Sequence, residues 1–214
     1  MQRIAILIVA ITASGCATST DHRDSIGGSA RLDVHSSRLE SERLDSAPSA
    51  LAGHALEAYW AQYMNRQIRD LQQCLAQKRE QDEARVETAA EGIKLRIPNH
   101  TAFGTASDEI KPIFKDALDR LSEVLIRYPK TSLTIVGHTD GQGDSDYNQF
   151  LSQRRAKALS EYLRSKGIDS ERLSYAGKGA TEPVSENETA AGRMTNARIE
   201  ILLKPRSITS GREI

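Results

Sequence analysis

"SLTIVGHTDGQGDSDYNQFLSQRRAKALSEYLRSKG" (Ser132–Gly167) reads as a strand, a loop and a helix in direct succession. The segment "SLTIVG" (Ser132–Gly137) is apolar on both faces, as expected for a central strand covered by helices. Asp140–Asp146 follows as a loop rich in Gly and Asp. From about Tyr147 to Lys166, helical spacing puts Leu151, Ala158, Leu159 and Tyr162 on one stripe, and Gly167 supplies a left-handed stop. Sheets built from such units bind ligands just past the carboxyl ends of their strands.

Moving outward, "GIKLRI" (Gly92–Ile97) alternates like a short strand and is ended by Pro98. Pro112 suits a first helical position; Phe114, Ala117, Leu118, Leu121, Leu125 and Tyr128 then mark one helical face, closed by Pro129. "RLSYAG" (Arg172–Gly177) and "ARIEILL" (Ala197–Leu203) supply two more strands. The order β-α-β-α-β-β predicts an α/β (α+β) domain over residues 91–204, a mixed sheet with helices packed on it, and a polar tail over 205–214.

Residues 53–90 contain no proline, and Leu56, Trp60, Tyr63, Met64, Ile68, Leu71 and Leu75 recur at helical spacing. The pattern predicts one long amphipathic helix over 53–90. Its stripe suits self-association, a protein partner or the downstream domain, and packing on the domain is the leading reading. Residues 16–52 are dominated by Ser, Asp, Arg and Gly, which cannot bury enough to offset their ordering entropy. They predict a flexible tether with a reach of roughly 30 Å.

The opening "MQRIAILIVAITASGC" (Met1–Cys16) has one basic residue and an apolar run from Ile4 to Ile11, short of the ~20 residues that span a bilayer. Residues 1–15 therefore read as an export signal. "ASGC" (Ala13–Cys16) resembles a bacterial lipoprotein box, with Ala13 where Leu is usual. That resemblance implies acylation of Cys16, with chains such as palmitate, and, because Ala17 follows, an outer-membrane anchor facing the periplasm. An acylated Cys16 leaves Cys74 either as a small buried apolar residue, the favoured reading, or as an interchain bridge.

Lys+Arg and Asp+Glu balance at 29 each, which argues against the basic surface that nucleic-acid affinity requires. The five His are scattered, no Cys/His grouping has zinc spacing, and no cofactor is implied.

Within the opening stretch, Arg155 falls four residues after Leu151 and three before Ala158, so it lies on the apolar stripe, with Asn148 ahead on the same line. An inward Arg needs a partner, and Asp140 at the strand end is the carboxylate best placed. Either the two pair directly, which spacing alone favours, or they stand apart and each takes the opposite charge of a ligand. Desolvation makes a buried pair a poor source of stability, which leans toward function.

Rival chemistries lack their parts. "GQG" (Gly141–Gly143) and "GKG" (Gly177–Gly179) are too short for a phosphate loop. "DGQGDSD" (Asp140–Asp146) resembles a calcium loop but has no downstream Glu at the twelfth position. Nothing fixes a carboxylate pair of Asp140 with Glu161 or Glu182, and Ser152 and His138 lack a triad partner. The chain does not read as an enzyme; a hydrolase and a protein-contact scaffold using residues 53–90 are the alternatives.

Taken in order, TD, G, N with LS, RRA, G-x-G, P, N-x-T, GR and a final N-x-R-x-E-I between Gly137 and Ile201, together with "TAFGTASDEIKP" upstream, resemble the OmpA-like carboxyl-terminal domain. That domain occurs also in peptidoglycan-associated lipoproteins and flagellar stator proteins. The resemblance implies non-covalent binding of the peptidoglycan stem peptide through the free end of diaminopimelate, which carries an ammonium and a carboxylate on one carbon. It implies Asp140 and Arg155 as the charged ligand residues, Asn148, Thr139 and Leu151 lining or supporting the pocket, and Phe103 with Thr105 on the opposite wall. Where the family usually begins its last strand with Asn-Arg-Arg, this chain has Asn196, Ala197 and Arg198, so only Arg198 is carried over. The long helix has no counterpart in the resemblance.

Overall fold

The computed structural model describes residues 53–76 and 84–206. The chain divides between Tyr59 and Trp60. Of the first unit, Gly53–Tyr59 is described, as the opening turns of helix α1 (Gly53–Ala76). The rest of α1 belongs to the second unit, to which the following refers.

Five strands form one sheet: β1 (Arg85–Ala89), β2 (Gly92–Pro98), β3 (Thr131–Gly137), β4 (Leu173–Gly177) and β5 (Arg198–Pro205), in the order β1-β2-β5-β3-β4. β3 and β4 run parallel, and the other neighbours are antiparallel, so the sheet is mixed as expected. The helices are α2 (Asn99–Ala102), α3 (Pro112–Arg127), α4 (Ser145–Ser165) and α5 (Ala190–Asn196), with a 3-10 turn at Ser170–Arg172.

Three expectations are corrected. The first concerns Arg85–Ala89, expected inside the helix of residues 53–90: it pairs with β2, Arg85 opposite Arg96 and Ala89 opposite Gly92. The Ala- and Glu-rich composition favours helix only weakly, and strand pairing overrides it. Gly92 makes the turn possible, with φ 150 and so little room that a Cβ would stand 1.9 Å from Leu203 O. The sheet therefore starts upstream of residue 91. Secondly, α5 lies between the last two strands, where no helix was expected.

The third correction concerns β3, which is covered on one side only. Thr131, Leu133, Ile135 and Gly137 are buried, while Ser132, Thr134 and Val136 are half-buried. Leu133, Ile135, Ile199, Ile201 and Leu203 build the core with Phe114, Leu118, Leu121 and Leu125 of α3 and Leu151, Ala156, Leu159 and Leu163 of α4. Ala158 and Tyr162, expected on the stripe of α4, lie half-buried at its border.

α1 packs at the start of β3, the end away from the Asp140 loop. Its Tyr63 Oη accepts the Lys130 N–H at 2.9 Å, and the Tyr63 ring meets Tyr128 edge-on with centroids 5.3 Å apart. Tyr128 Oη donates to Asp70 Oδ2 at 2.8 Å. The buried Arg172 ties this end together, donating to Thr131 O at 2.8 Å, Leu125 O at 3.0 Å and Tyr128 O at 2.8 Å. Those carbonyls include ones that the end of α3 leaves without helical partners. Cys74 is a buried free thiol, the reading favoured for it, and Cys16 lies outside the described residues.

Candidate ligand-binding site

Glycine contacts bring α4 onto the ends of β3 and β4. A Cβ on Gly177 would stand 2.4 Å from Gln153 N, and Gly179, at φ 48, donates its N–H to Ser152 Oγ at 2.9 Å. These short loops serve close backbone approach. Between β3 and α4, the acidic residues organise the chain: Asp140 Oδ1 accepts the Gln142 N–H at 3.0 Å, and Asp144 caps α4 by accepting the Tyr147 N–H at 2.8 Å. Asn148, buried on the first turn, donates Nδ2–H to Gln142 O at 2.7 Å. Gly141 N–H is held by Asn187 Oδ1 at 3.0 Å, which ties the crown of the loop to the segment before α5. No cluster of three or more potential metal ligands occurs among the described residues.

Arg155 is buried on the inner stripe, as the spacing predicts, yet it is not paired with Asp140. Nε donates to Ser107 O at 2.8 Å and Nη2 to Gly104 O at 3.3 Å, while the guanidinium carbon stands 5.5 Å from the centre of the Phe103 ring. The direct ion pair that spacing favours gives way to backbone carbonyls, which take one side of the guanidinium without neutralising it. Burial lowers the Arg155 pKa, and Tyr147, Asp108 and Asp140 oppose that shift in turn, so Asp140 acts on Arg155 through space. Asp140 remains half-buried.

The guanidinium carries five N–H donors in a fixed fork. The loop takes the side formed by Nε and Nη2. The end-on edge, one N–H from each Nη, is left without a protein acceptor among the described residues. Such an edge matches the two oxygens of a carboxylate.

The other expected residues divide. Phe103, 1% exposed, is the floor beneath Arg155, and Leu151 is buried beside it on the α4 stripe. Thr139 is buried, with its N–H on Gly179 O at 2.9 Å and its hydroxyl without a partner. Thr105 is exposed on the loop that holds Arg155. Arg198 faces its own chain: Nε meets Glu200 Oε1 at 2.8 Å, Nη1 donates to Asn196 O at 3.0 Å and Nη2 to Glu182 O at 3.2 Å. It braces the segment before α5 and presents no free edge.

No catalytic grouping assembles among the candidates. Ser152 Oγ donates to Gln149 O at 2.8 Å and accepts from Gly179 N. The His138 ring is buried with neither nitrogen hydrogen-bonded, and burial, then Arg198, holds its pKa at about 4. Glu161 and Glu182 pair with Lys157 and Lys178, not with Asp140.

Sequence reasoning missed Gly104, Ser107 and Asp108. The first two meet Arg155 through backbone carbonyls, which leave no residue-type signature, and Asp108 meets Arg154, whose neighbour carried the apolar pattern. Asn187 was visible only as part of N-x-T.

This arrangement of sheet, loop and helix agrees with comparisons to known proteins. The model of the OmpA family matches residues 102–197. "Outer-membrane lipoprotein YfiB" of Pseudomonas aeruginosa is 32% identical over 113 residues, 53% of this chain and 67% of that protein. "Probable lipoprotein YiaD" of Escherichia coli (strain K12) is 37% identical over 120 residues, 56% of this chain and 55% of that one. The match thus spans about half to two thirds of these relatives. The solved structure of the cell wall anchor of the T6SS from Pseudomonas aeruginosa superposes with a TM-score of 0.54 at 29% identity, over 68% of this chain and 96% of that one. The chain belongs to the OmpA family.

Proposed function

We propose that this chain binds peptidoglycan non-covalently through the free amino-acid end of diaminopimelate in a stem peptide. Asp140 accepts the ammonium hydrogens, and the end-on edge of Arg155 takes the carboxylate. The observation that carries this reading is the separation of the two charges: Arg155 is buried, framed by Ser107 O, Gly104 O and Phe103, and not neutralised by Asp140. A ligand bearing both opposite charges completes both groups, whereas one bearing a single charge leaves the other without its counterpart. The similarity to a structure described as a cell wall anchor supports the same reading.

In this proposal, acylated Cys16 anchors the chain in the outer membrane and residues 16–52 give the domain reach, so modest affinity per stem is raised by local concentration. The reading is non-catalytic: Ser152 Oγ is engaged by Gln149 O and the Gly179 N–H, and neither nitrogen of the buried His138 ring is hydrogen-bonded. The scaffold alternative loses support because Tyr63, Met64 and Leu71 of α1 are buried within the chain's own second unit.

The test is retention on purified sacculi. The unmodified chain should be retained on diaminopimelate-type walls and weakly on walls carrying lysine, which presents the ammonium without the carboxylate. Asp140→Ala and Arg155→Ala should each lose retention while keeping the folded circular-dichroism spectrum; equal retention of both variants would overturn the proposal.

A further inference from the structure

Arg155 is aimed by two carbonyls of one loop, so whatever fixes that loop also aims the guanidinium. The loop, residues 104–108, contains Ala106 at φ 49, the one positive-φ non-glycine among the described residues. An alanine in the left-handed region is strained and persists only where its surroundings hold it. The Phe103–Ile110 bridge closes the loop's ends, and α4 holds the loop by a fork: Arg154 Nε reaches Asp108 Oδ2 at 2.8 Å and Nη2 reaches Oδ1 at 3.1 Å. Tyr147 Oη adds a long contact to Ala106 O at 3.5 Å, and Ser107 Oγ accepts the Glu109 N–H at 3.0 Å. Adjacent arginines of α4 therefore grip the same loop, Arg154 by its carboxylate and Arg155 by its carbonyls.

We propose that the Arg154–Asp108 fork is a positioning device that seats residues 104–108 on α4 and so turns the free edge of Arg155 toward the ligand. This rests on the reading of Arg155 as the residue that takes a ligand carboxylate. The fork is bidentate, the geometry that adds orientation to attraction. Its side chains are 52% and 31% exposed, where an ion pair contributes little to global stability. Removing it should therefore disturb the direction of Arg155 far more than the fold.

The experiment uses the full chain with Asp108→Ala, with Arg154→Lys, which keeps the charge but loses the fork, and with the swap Asp108→Arg plus Arg154→Asp. Three quantities are read: hydrogen exchange of the Arg155 Nε–H by NMR, the thermal midpoint, and retention on diaminopimelate-type sacculi. Each single variant should speed exchange about fivefold and weaken retention by a similar factor, the scale set by roughly 1 kcal/mol, with the thermal midpoint unmoved and partial recovery in the swap. Unchanged exchange in both single variants would overturn the proposal, as would faster exchange accompanied by a matching fall in thermal midpoint. If exchange responds while the unmodified chain does not bind sacculi, the fork still positions Arg155 and it is the peptidoglycan reading that fails.

Discussion

Gly137 lies so close to Ser152 that a Cβ on the glycine would stand 2.1 Å from the Ser152 carbonyl oxygen. The last residue of β3 thereby lets α4 settle directly on the strand end, and Arg155 stands one turn further along that helix. Gly137→Ala must push backbone against backbone, since no flexible side chain can yield. Overpacking of this kind costs roughly 1 to 3 kcal/mol. Chemical denaturation should show that loss, and sacculus retention should fall more than the small population of unfolded chain explains, because the helix carrying Arg155 has been displaced.

Arg155→Lys separates charge from shape. A lysine keeps the cation but cannot donate to Ser107 O, to Gly104 O and to both oxygens of a carboxylate at once. Losing one charge-assisted hydrogen bond, about 1.5 to 3 kcal/mol, corresponds to a roughly 10- to 100-fold weaker interaction. Binding titrations against soluble muropeptides should show that drop with little change in thermal midpoint; near-native affinity would mean that charge alone suffices.

Much of this site was legible in the sequence because helix periodicity is strong there. The spacing of Leu151, Arg155 and Ala158 placed Arg155 inward, although Ala158 itself lies at the border of the stripe, and Pro112 and Gly167 marked helix boundaries. The partner of Arg155 was not legible: carbonyls of Gly104 and Ser107 come from any residue type, and only the folded chain brings them 48 to 51 positions across to α4. β1 was hidden for a related reason. "RVETA" becomes a strand by pairing with β2, a long-range fact that its helix-tolerant composition obscures. Arg198 is a different case, where a motif position suggests ligand contact and the structure shows the guanidinium engaged by Glu200, Asn196 and Glu182.

Acid should weaken the fold in two stages. The His138 pKa is held at about 4 by burial first and Arg198 second, below its ordinary 6.5. As pH falls through 6.5 the unfolded chain takes up this proton before the folded chain does, so stability is full above that point and is lost down to about 4. The interval corresponds to roughly 3 kcal/mol at most. Burial alone would raise the Glu200 pKa, but Arg198 and Lys94 outweigh it and hold the group at about 2, below 4.5, so its contribution is present above 4.5 and lost from there toward 2. Denaturant midpoints at pH 7 and pH 4.5 should differ clearly for the unmodified chain and much less for His138→Gln. An equal difference in both would show that His138 is not the group responsible.

Arg172 allows stability to be changed without touching the residues proposed to hold the ligand. It is 5% exposed and donates to carbonyls of Leu125, Tyr128 and Thr131, at the opposite end of β3 from Asp140. Arg172→Met fills similar volume but leaves these carbonyls without their donor, and unsatisfied buried groups cost about 1 to 3 kcal/mol each before relaxation or water entry. Total destabilisation should reach about 3 kcal/mol, which is large against the 5 to 15 kcal/mol typical of a domain. Below its thermal midpoint the variant should bind sacculi as the unmodified chain does, since the hydrogen bonds of Arg172 involve neither Asp140 nor Arg155. Comparing thermal midpoint with retention at low temperature checks this. Retention lost in step with Arg155→Ala would show that the two ends of the strand are coupled.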